Sequence, residues 1–193
     1  MSDYALLVIS AALVNNLVLT RSLGLCALMS GSRSVEISIA VALATSLTLI
    51  LCTAVNYLID AYLLRPLTLE YLRTMIFIVV VAATAPLNGL LMRAINPTLH
   101  DIAGAIMPLI GINSAALGVT LLNARAARGF FESMLYGFGG ALGVSLVLIL
   151  FTVLRERVAA ADVPEAFRGS AIDLITLGLM SLGFMGFVNL AKL

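Results

Sequence analysis

A group of polar and reactive side chains lies inside an apolar run near the amino terminus, in VNNLVLTRSLGLCALMSG (14–31). A lone cysteine in an apolar run is usually a small hydrophobe, whereas amides and a cation in such a run can bind a polar ligand or an ion. Unpaired amides in an apolar phase cost several kcal/mol each. Polar groups inside a membrane span often have a functional role, and helix packing explains them equally well at this point. The candidate residues are Asn15, Asn16, Arg21, Gly24 and Cys26.

A second polar interruption stands in the fourth apolar run, at GINSAALG (111–118). Proline removes a backbone donor and glycine weakens a helix, so we expect the helix to break here. Each half of the chain then opens with an interrupted helix, and we expect the two interruptions to meet halfway through the protein. The residues that carry this interpretation are Pro108, Gly111, Asn113, Ser114 and Gly118.

Other reactive residues support fewer kinds of chemistry. Cys52 is predicted to be a small buried hydrophobe, and two cysteines are too few for a disulfide framework. A single histidine, His100, excludes a histidine-based metal site or a Ser–His–Asp triad. We identify no catalytic residue. The glycine-rich YGFGGALG (136–143) lies within an apolar run and predicts close helix packing.

The composition requires a bilayer. Of 193 residues, 62% are hydrophobic and 11% are charged, and the mean hydropathy is +1.12. Soluble domains average about 45–50% apolar and about 25% charged residues. The net charge of +1 gives no indication of a nucleic-acid partner. The absence of an early basic residue before the first apolar run argues against a cleavable signal peptide.

The polar breaks between apolar runs predict an all-α integral membrane protein with six transmembrane helices, each of about 20 residues. The first run of about 25 residues would be roughly 37 Å long as one straight helix, which exceeds a hydrocarbon core of about 30 Å. A tilted helix or a broken helix would each resolve this mismatch. The predicted spans are 4–28, 35–59, 70–92, 100–123, 130–153 and 170–191.

The two halves of the chain resemble each other. SLTLILCTAV (46–55) matches SLVLILFTVL (145–154) at an offset of 99 residues. Since each half would hold three spans, the second half would enter the membrane from the opposite side. We therefore predict one polytopic domain over 1–193, built as two inverted three-helix repeats of about 1–95 and 96–193, with broken helices in spans 1 and 4. Basic residues divide evenly between the two sides and do not orient the protein.

Several stretches resemble a known family: LVNNLVLTRSLGLC, LEYLRT, LYGFGGALG, RERVA followed by ADVPEAFRG, and GLMSLGFMGF. They are similar to the A subunits of the Rnf electron-transport complex, whose sister family is the E subunit of the sodium-pumping NADH:quinone reductase. The resemblance covers essentially the whole chain.

This resemblance implies a subunit of a translocase that passes electrons between ferredoxin and NAD, coupled to Na⁺ or H⁺ movement, without independent catalysis. It implies a bacterial inner-membrane location with periplasmic termini. The implied partners are Rnf subunits B, C, D, E and G, of which the homologous E subunit is nearest. The two homologues would share a [2Fe–2S] cluster, and flavins and other iron–sulfur clusters would lie in partner subunits.

The family resemblance also assigns residue roles. Cys26 matches the first cluster ligand, and Gly24, Asn15, Asn16 and Asn113 would surround the cluster and tune it. The second family cysteine follows an asparagine in span 4, and the chain has Ser114 there. A serine hydroxyl is a harder ligand that loses its proton reluctantly. The cluster would persist with altered ligation, be easily lost, or take another ligand.

Two other functions fit the same pattern. An inverted repeat with a polar mid-plane site also suits a non-redox transporter of a small solute or ion. A scaffold bundle whose amides only pack against a sister protein is the third possibility.

Overall fold

The computed structural model describes residues 2–32, 34–67, 69–95, 97, 110 and 113–187. The predicted breaks at Pro108 and Gly111, the single histidine His100 and both termini lie outside the described residues.

All regular structure in the described part of the chain is helical. Short π-helical turns extend α1 and α4, and single 3₁₀ turns precede α5 and α8. The helices are α1 (Ser2–Ile9, extended by Ser10–Val14), α2 (Leu17–Arg21), α3 (Leu25–Gly31), α4 (Val35–Ile59, extended by Asp60–Leu64), α5 (Arg73–Ile95), α6 (Ser114–Arg125), α7 (Phe130–Ala159) and α8 (Ser170–Met185), with 3₁₀ turns at Glu70–Leu72 and Glu165–Phe167.

Within the described residues, three helices are long and apolar enough to cross a membrane: Val35–Leu64, Arg73–Ala94 and Phe130–Ala159. They confirm the predicted spans 2, 3 and 5 as continuous helices. The first predicted span is instead divided among α1, α2 and α3. Because α8 is shorter and span 4 is described only from Asn113 onward, six crossings remain a prediction.

The long helices α4 and α7 pack antiparallel along most of their length and form the centre of the bundle. Ser46 and Ser145, which are equivalent in the two halves, meet with their hydroxyl oxygens 3.0 Å apart. The hydroxyls of Ser38 and Thr152 lie 2.6 Å apart. This is the arrangement that a two-fold axis through the central helix pair would produce.

A second contact has the same symmetry. At the offset of 99 residues, Ser38 corresponds to Gly137 and Thr152 corresponds to Thr53. A two-fold axis would therefore place Thr53 against Gly137, as it places Ser38 against Thr152. A Cβ built on Gly137 would lie 2.7 Å from Thr53 Oγ1. Hydrogen bonds between membrane helices average only about 0.6 kcal/mol each. Close packing therefore contributes most of the stability of the α4–α7 helix pair.

The glycine-rich face of α7 brings the backbone of the first segment into contact with it. A Cβ on Gly139 would lie 2.9 Å from the carbonyl oxygen of Val8, and a Cβ on Gly143 would lie 2.7 Å from that of Ala12. The close packing predicted for YGFGGALG is therefore what the structure shows, and it holds α1 and its π-helical extension against α7.

We expect Gly143→Ala to destabilise the protein by about 1–3 kcal/mol, because the added methyl group must displace the Ala12 backbone. Gly89→Ala is the matched control, since a Cβ at Gly89 would meet nothing within 4 Å. That control should be neutral or stabilising by up to about 1 kcal/mol. Heating the purified protein and following its loss by size-exclusion chromatography compares the two; equal midpoints would contradict the close contact.

Candidate functional site

The first helix break is held by the Asn16 side chain, which is fully buried. Its Oδ1 accepts hydrogen bonds from the backbone amides of Val18 (3.0 Å) and Leu19 (3.4 Å) and caps α2. Its Nδ2 donates to the carbonyl oxygens of Ala12 (2.8 Å) and Gly143 (3.0 Å). Asn16 thus supplies the hydrogen-bond partners that lipid would not offer to an interrupted helix.

A second break follows within the same segment. Ser22 adopts the left-handed conformation (φ 55°) and ends α2, with the amide of Leu23 donating to the carbonyl of Leu17 (3.0 Å). Gly24 is also left-handed (φ 84°), and a Cβ there would lie 3.2 Å from Asn113 Oδ1. Both the dihedral angle and the close neighbour favour glycine. The chain then starts α3, with Cys26 at its second position.

The start of α6 meets the first segment at Gly24. Its backbone amide donates to Ser114 Oγ at 2.9 Å. Asn113 caps α6, because its Oδ1 accepts from the amide of Ala115 at 3.0 Å. The start of α6 and the start of α3 therefore lie against each other, each with the unpaired N–H groups that helix beginnings present.

The predicted site residues fall into two groups. Gly24, Asn113 and Ser114 come together, and Cys26 follows on the first turn of α3. Ser114 and Cys26 are both exposed on the surface of this chain. Asn16 belongs to a separate place, against α7. Asn15 is exposed, and its side-chain Nδ2 donates to the hydroxyl of Ser10 (3.2 Å).

The remaining candidates lie elsewhere. Arg21 is exposed. Cys52 is buried in the core, with its sulfur 3.0 Å from Thr84 Oγ1. That position agrees with its predicted role as a small buried side chain.

A cavity of about 310 Å³ adjoins this contact, between α5 and α6. Asn113 is 4% exposed, and its Nδ2 has no hydrogen-bond partner in the described part of the chain. An uncompensated buried donor is costly, so this position favours a group that can accept a hydrogen bond. The cavity is lined by Ile78, Val81, Ala82, Asn113, Ser114 and Leu117.

Cys26 and Ser114 could supply some of the ligands of an iron–sulfur cluster but not a full set. Such a cluster takes four ligands, usually thiolates. Across the described ranges, no three His, Cys, Asp or Glu side chains are grouped so as to hold a metal ion. One exposed thiol and one exposed hydroxyl at adjacent helix starts fit a cluster whose other ligands come from a second chain.

Sequence reasoning missed a buried ion-pair cluster at the C-terminal end of α4. Asp60 is only 3% exposed and accepts from Arg65 Nε at 3.1 Å and from Arg73 Nε at 2.7 Å. In the sequence alone, Asp60 and Arg65 have the pattern of loop charges. The four-residue spacing of Thr48, Asn56 and Asp60, with Cys52 between them, indicates a polar stripe on α4 that could have revealed it.

A related contact lies further along that stripe. Asn88 Nδ2 donates to Thr48 Oγ1 (2.6 Å) and to the carbonyl of Ala44 (2.9 Å). These bonds join α5 to α4. In an apolar environment the same polar groups would be costly without hydrogen-bond partners.

Long apolar helices, a first segment that breaks twice and an antiparallel central pair define a multi-pass membrane protein. The family model described as "Rnf-Nqr subunit, membrane protein" matches residues 4–191, and the chain belongs to this Rnf-Nqr family.

Relatives along the whole length agree with this assignment. The chain is 54% identical over 192 residues to the A subunit of the ion-translocating oxidoreductase complex of Thioalkalivibrio sulfidiphilus, with 100% of both chains covered. It is 51% identical over 193 residues to the protein of that name from Aliivibrio salmonicida, and 50% identical over 193 residues to that from Actinobacillus pleuropneumoniae, again with both chains fully covered.

We expect the two adjacent asparagines to differ sharply. Asn16→Ala removes a helix cap and two further hydrogen bonds and should cost roughly 2–3 kcal/mol. Asn15→Ala removes one exposed contact and should change stability by less than about 0.5 kcal/mol. Thermal inactivation of both variants in the same detergent measures the difference. Similar losses for the two would show that Asn16 does not hold the break.

Proposed function

We propose that this chain is the A subunit of an Rnf-type complex in the bacterial inner membrane, passing electrons between ferredoxin and NAD coupled to Na⁺ or H⁺ translocation. Support comes from relatives at 50–54% identity that are named as the A subunits of ion-translocating oxidoreductase complexes. The observation that carries the proposal is the 2.9 Å contact between Gly24 N and Ser114 Oγ, which joins the two interrupted segments.

In this proposal Cys26 and Ser114 contribute ligands to a [2Fe–2S] cluster that this chain shares with the homologous E subunit. The cluster would supply a one-electron relay inside the membrane. The amide of Gly24 already donates to Ser114 Oγ, and an N–H donor at that place also suits a ligating atom. Asn113 Nδ2 lacks a protein acceptor in the described part of the chain and could donate to an anionic sulfur.

The main question about this site is how a cluster would be held with Ser114 in place of a cysteine. An oxygen ligand is harder than a thiolate and binds iron–sulfur clusters less often. We propose that the cluster is retained with altered ligation, with Cys26 as this chain's sulfur ligand. The other Rnf subunits, B, C, D and G, would carry the flavins and further clusters.

Ion coupling would follow from charge. The described residues at the contact, Gly24, Asn113 and Ser114, are neutral, so an added electron there has little local compensation. Opposite charges about 4 Å apart attract by about 4 kcal/mol at an effective dielectric constant of about 20. A cation would therefore be drawn toward this depth on reduction, and relative movement of the two halves could expose it to one face and then the other.

Iron and acid-labile sulfide analysis of the purified complex tests the proposal. Cys26→Ser should lower iron by about two atoms per complex and remove one electron paramagnetic resonance signal, because this chain would then offer the [2Fe–2S] cluster two hard oxygen ligands and no thiolate. Cys52→Ser, which changes the buried cysteine, is the matched control and should retain both.

The Ser114 position gives a second comparison. Ser114→Cys should keep or raise iron occupancy and shift the reduction potential, because a thiolate replaces an oxygen ligand. An unchanged signal in Cys26→Ser would exclude Cys26 as a ligand. Solute transport by the isolated chain without iron would instead support the non-redox transporter.

A further inference from the structure

Arg155, near the end of α7, connects three segments of the chain. Its Nη2 lies 2.9 Å from Asp173 Oδ2 in the first turn of α8. Its Nη1 donates to Ser32 Oγ (2.9 Å) and approaches the carbonyl oxygens of Met29 (3.3 Å) and Ser32 (3.4 Å), at the end of α3. One guanidinium thus holds the end of α3 against α7 and α8.

Each of these contacts has a physical reason. The Asp173 side chain is 7% exposed and Arg155 is 33% exposed, so the carboxylate requires a charged partner. The last carbonyl groups of a helix lack internal partners and attract a cation. The planar guanidinium can serve the carboxylate and the α3 end together, which a lysine ammonium cannot do with the same geometry.

The helix that Arg155 holds cannot maintain its own position. α3 has seven residues, well below the length at which an isolated helix is stable. Its start is fixed by the Gly24–Ser114 hydrogen bond. Its end is fixed by Arg155 and by Ser38, whose hydroxyl donates to the Gly31 carbonyl at 3.0 Å. Cys26 lies between these two attachments.

The two residues that follow Arg155 in the sequence do not hold the end of α3. Glu156 and Arg157 are exposed, as expected for a charged cluster at the membrane boundary. The sequence alone groups all three residues as one surface cluster. The structure separates Arg155, which points inward, from the other two.

We propose that Arg155, held by Asp173, is a positioning residue that fixes α3 and thereby the place and direction of the Cys26 thiol. The role of that thiol as a ligand rests on the proposed function. The positioning itself does not, because it follows from contacts within this chain.

The test measures α3 and Cys26 in the assembled complex after iron has been removed with a chelator, so that the thiol is free to react. Hydrogen–deuterium exchange of residues 25–31 should become faster by about tenfold or more in Arg155→Gln, since charge-assisted bonds that oppose local opening are lost. Alkylation of Cys26 by N-ethylmaleimide, quantified by mass spectrometry, should also become at least several-fold faster. Arg155→Lys should rescue part of both effects, and Asp173→Asn should give an intermediate change.

Two controls separate positioning from general loosening. Arg157→Gln removes an exposed charge two residues away and should leave both rates unchanged. Alkylation of the buried Cys52 should stay as slow in every variant as in the unmodified protein. Faster alkylation of Cys52 alongside Cys26 would show global destabilisation and overturn the proposal.

The remaining outcomes also test the positioning role of Arg155. Unchanged exchange and alkylation in an assembled Arg155→Gln complex would overturn the proposal, as would faster α3 exchange with an unchanged Cys26 rate. If Arg155→Gln does not assemble, Ser32→Ala removes the hydroxyl that accepts from Arg155 Nη1 (2.9 Å), together with the 3.4 Å bond from that hydroxyl to the Met29 carbonyl. This variant must show a smaller change in the same direction; no change would overturn the proposal. Neither readout needs iron, so failure of the cluster assignment leaves this comparison intact.

Discussion

The structure depends on the requirement that backbone N–H and C=O groups in an apolar environment find partners inside the protein. The first segment breaks twice, and each break occurs where the chain supplies such partners. Asn16 satisfies the first with four hydrogen bonds, and Ser114 accepts from the amide of Gly24 at the second. Because the second partner comes from the other half of the chain, the position of α3 depends on correct docking of α6.

The central helix pair makes this docking possible. α4 and α7 cross with equivalent serines in contact, and α7 then supports the first segment in two ways. Its glycine face admits the backbone of α1 and its extension, and its Arg155 holds the far end of α3. One long helix therefore contacts both ends of the broken segment, while Ser114 of α6 holds the start of α3, next to Cys26.

The sequence predicts the continuous helices well because hydrophobic runs bounded by polar residues have few other structures available in a membrane. The run 35–59 agrees with α4, and the two serines aligned by the offset of 99 residues, Ser46 and Ser145, lie in contact. Side-chain roles are harder to predict. Asn15 and Asn16 are chemically identical neighbours, and only the geometry of the break turns one inward. Asp60 resembles a loop charge in the sequence because its partner Arg73 is 13 residues away, and Arg155 stands beside two exposed charges.

A density map of the assembled complex, resolved well enough to follow side chains, tests the central claim most directly. The account predicts interrupted density at Asn15–Asn16 and at Ser22–Gly24, with the backbone of Gly24 in hydrogen-bonding contact with Ser114. A single uninterrupted helix from Tyr4 to Leu28, separated from the start of α6, would contradict it.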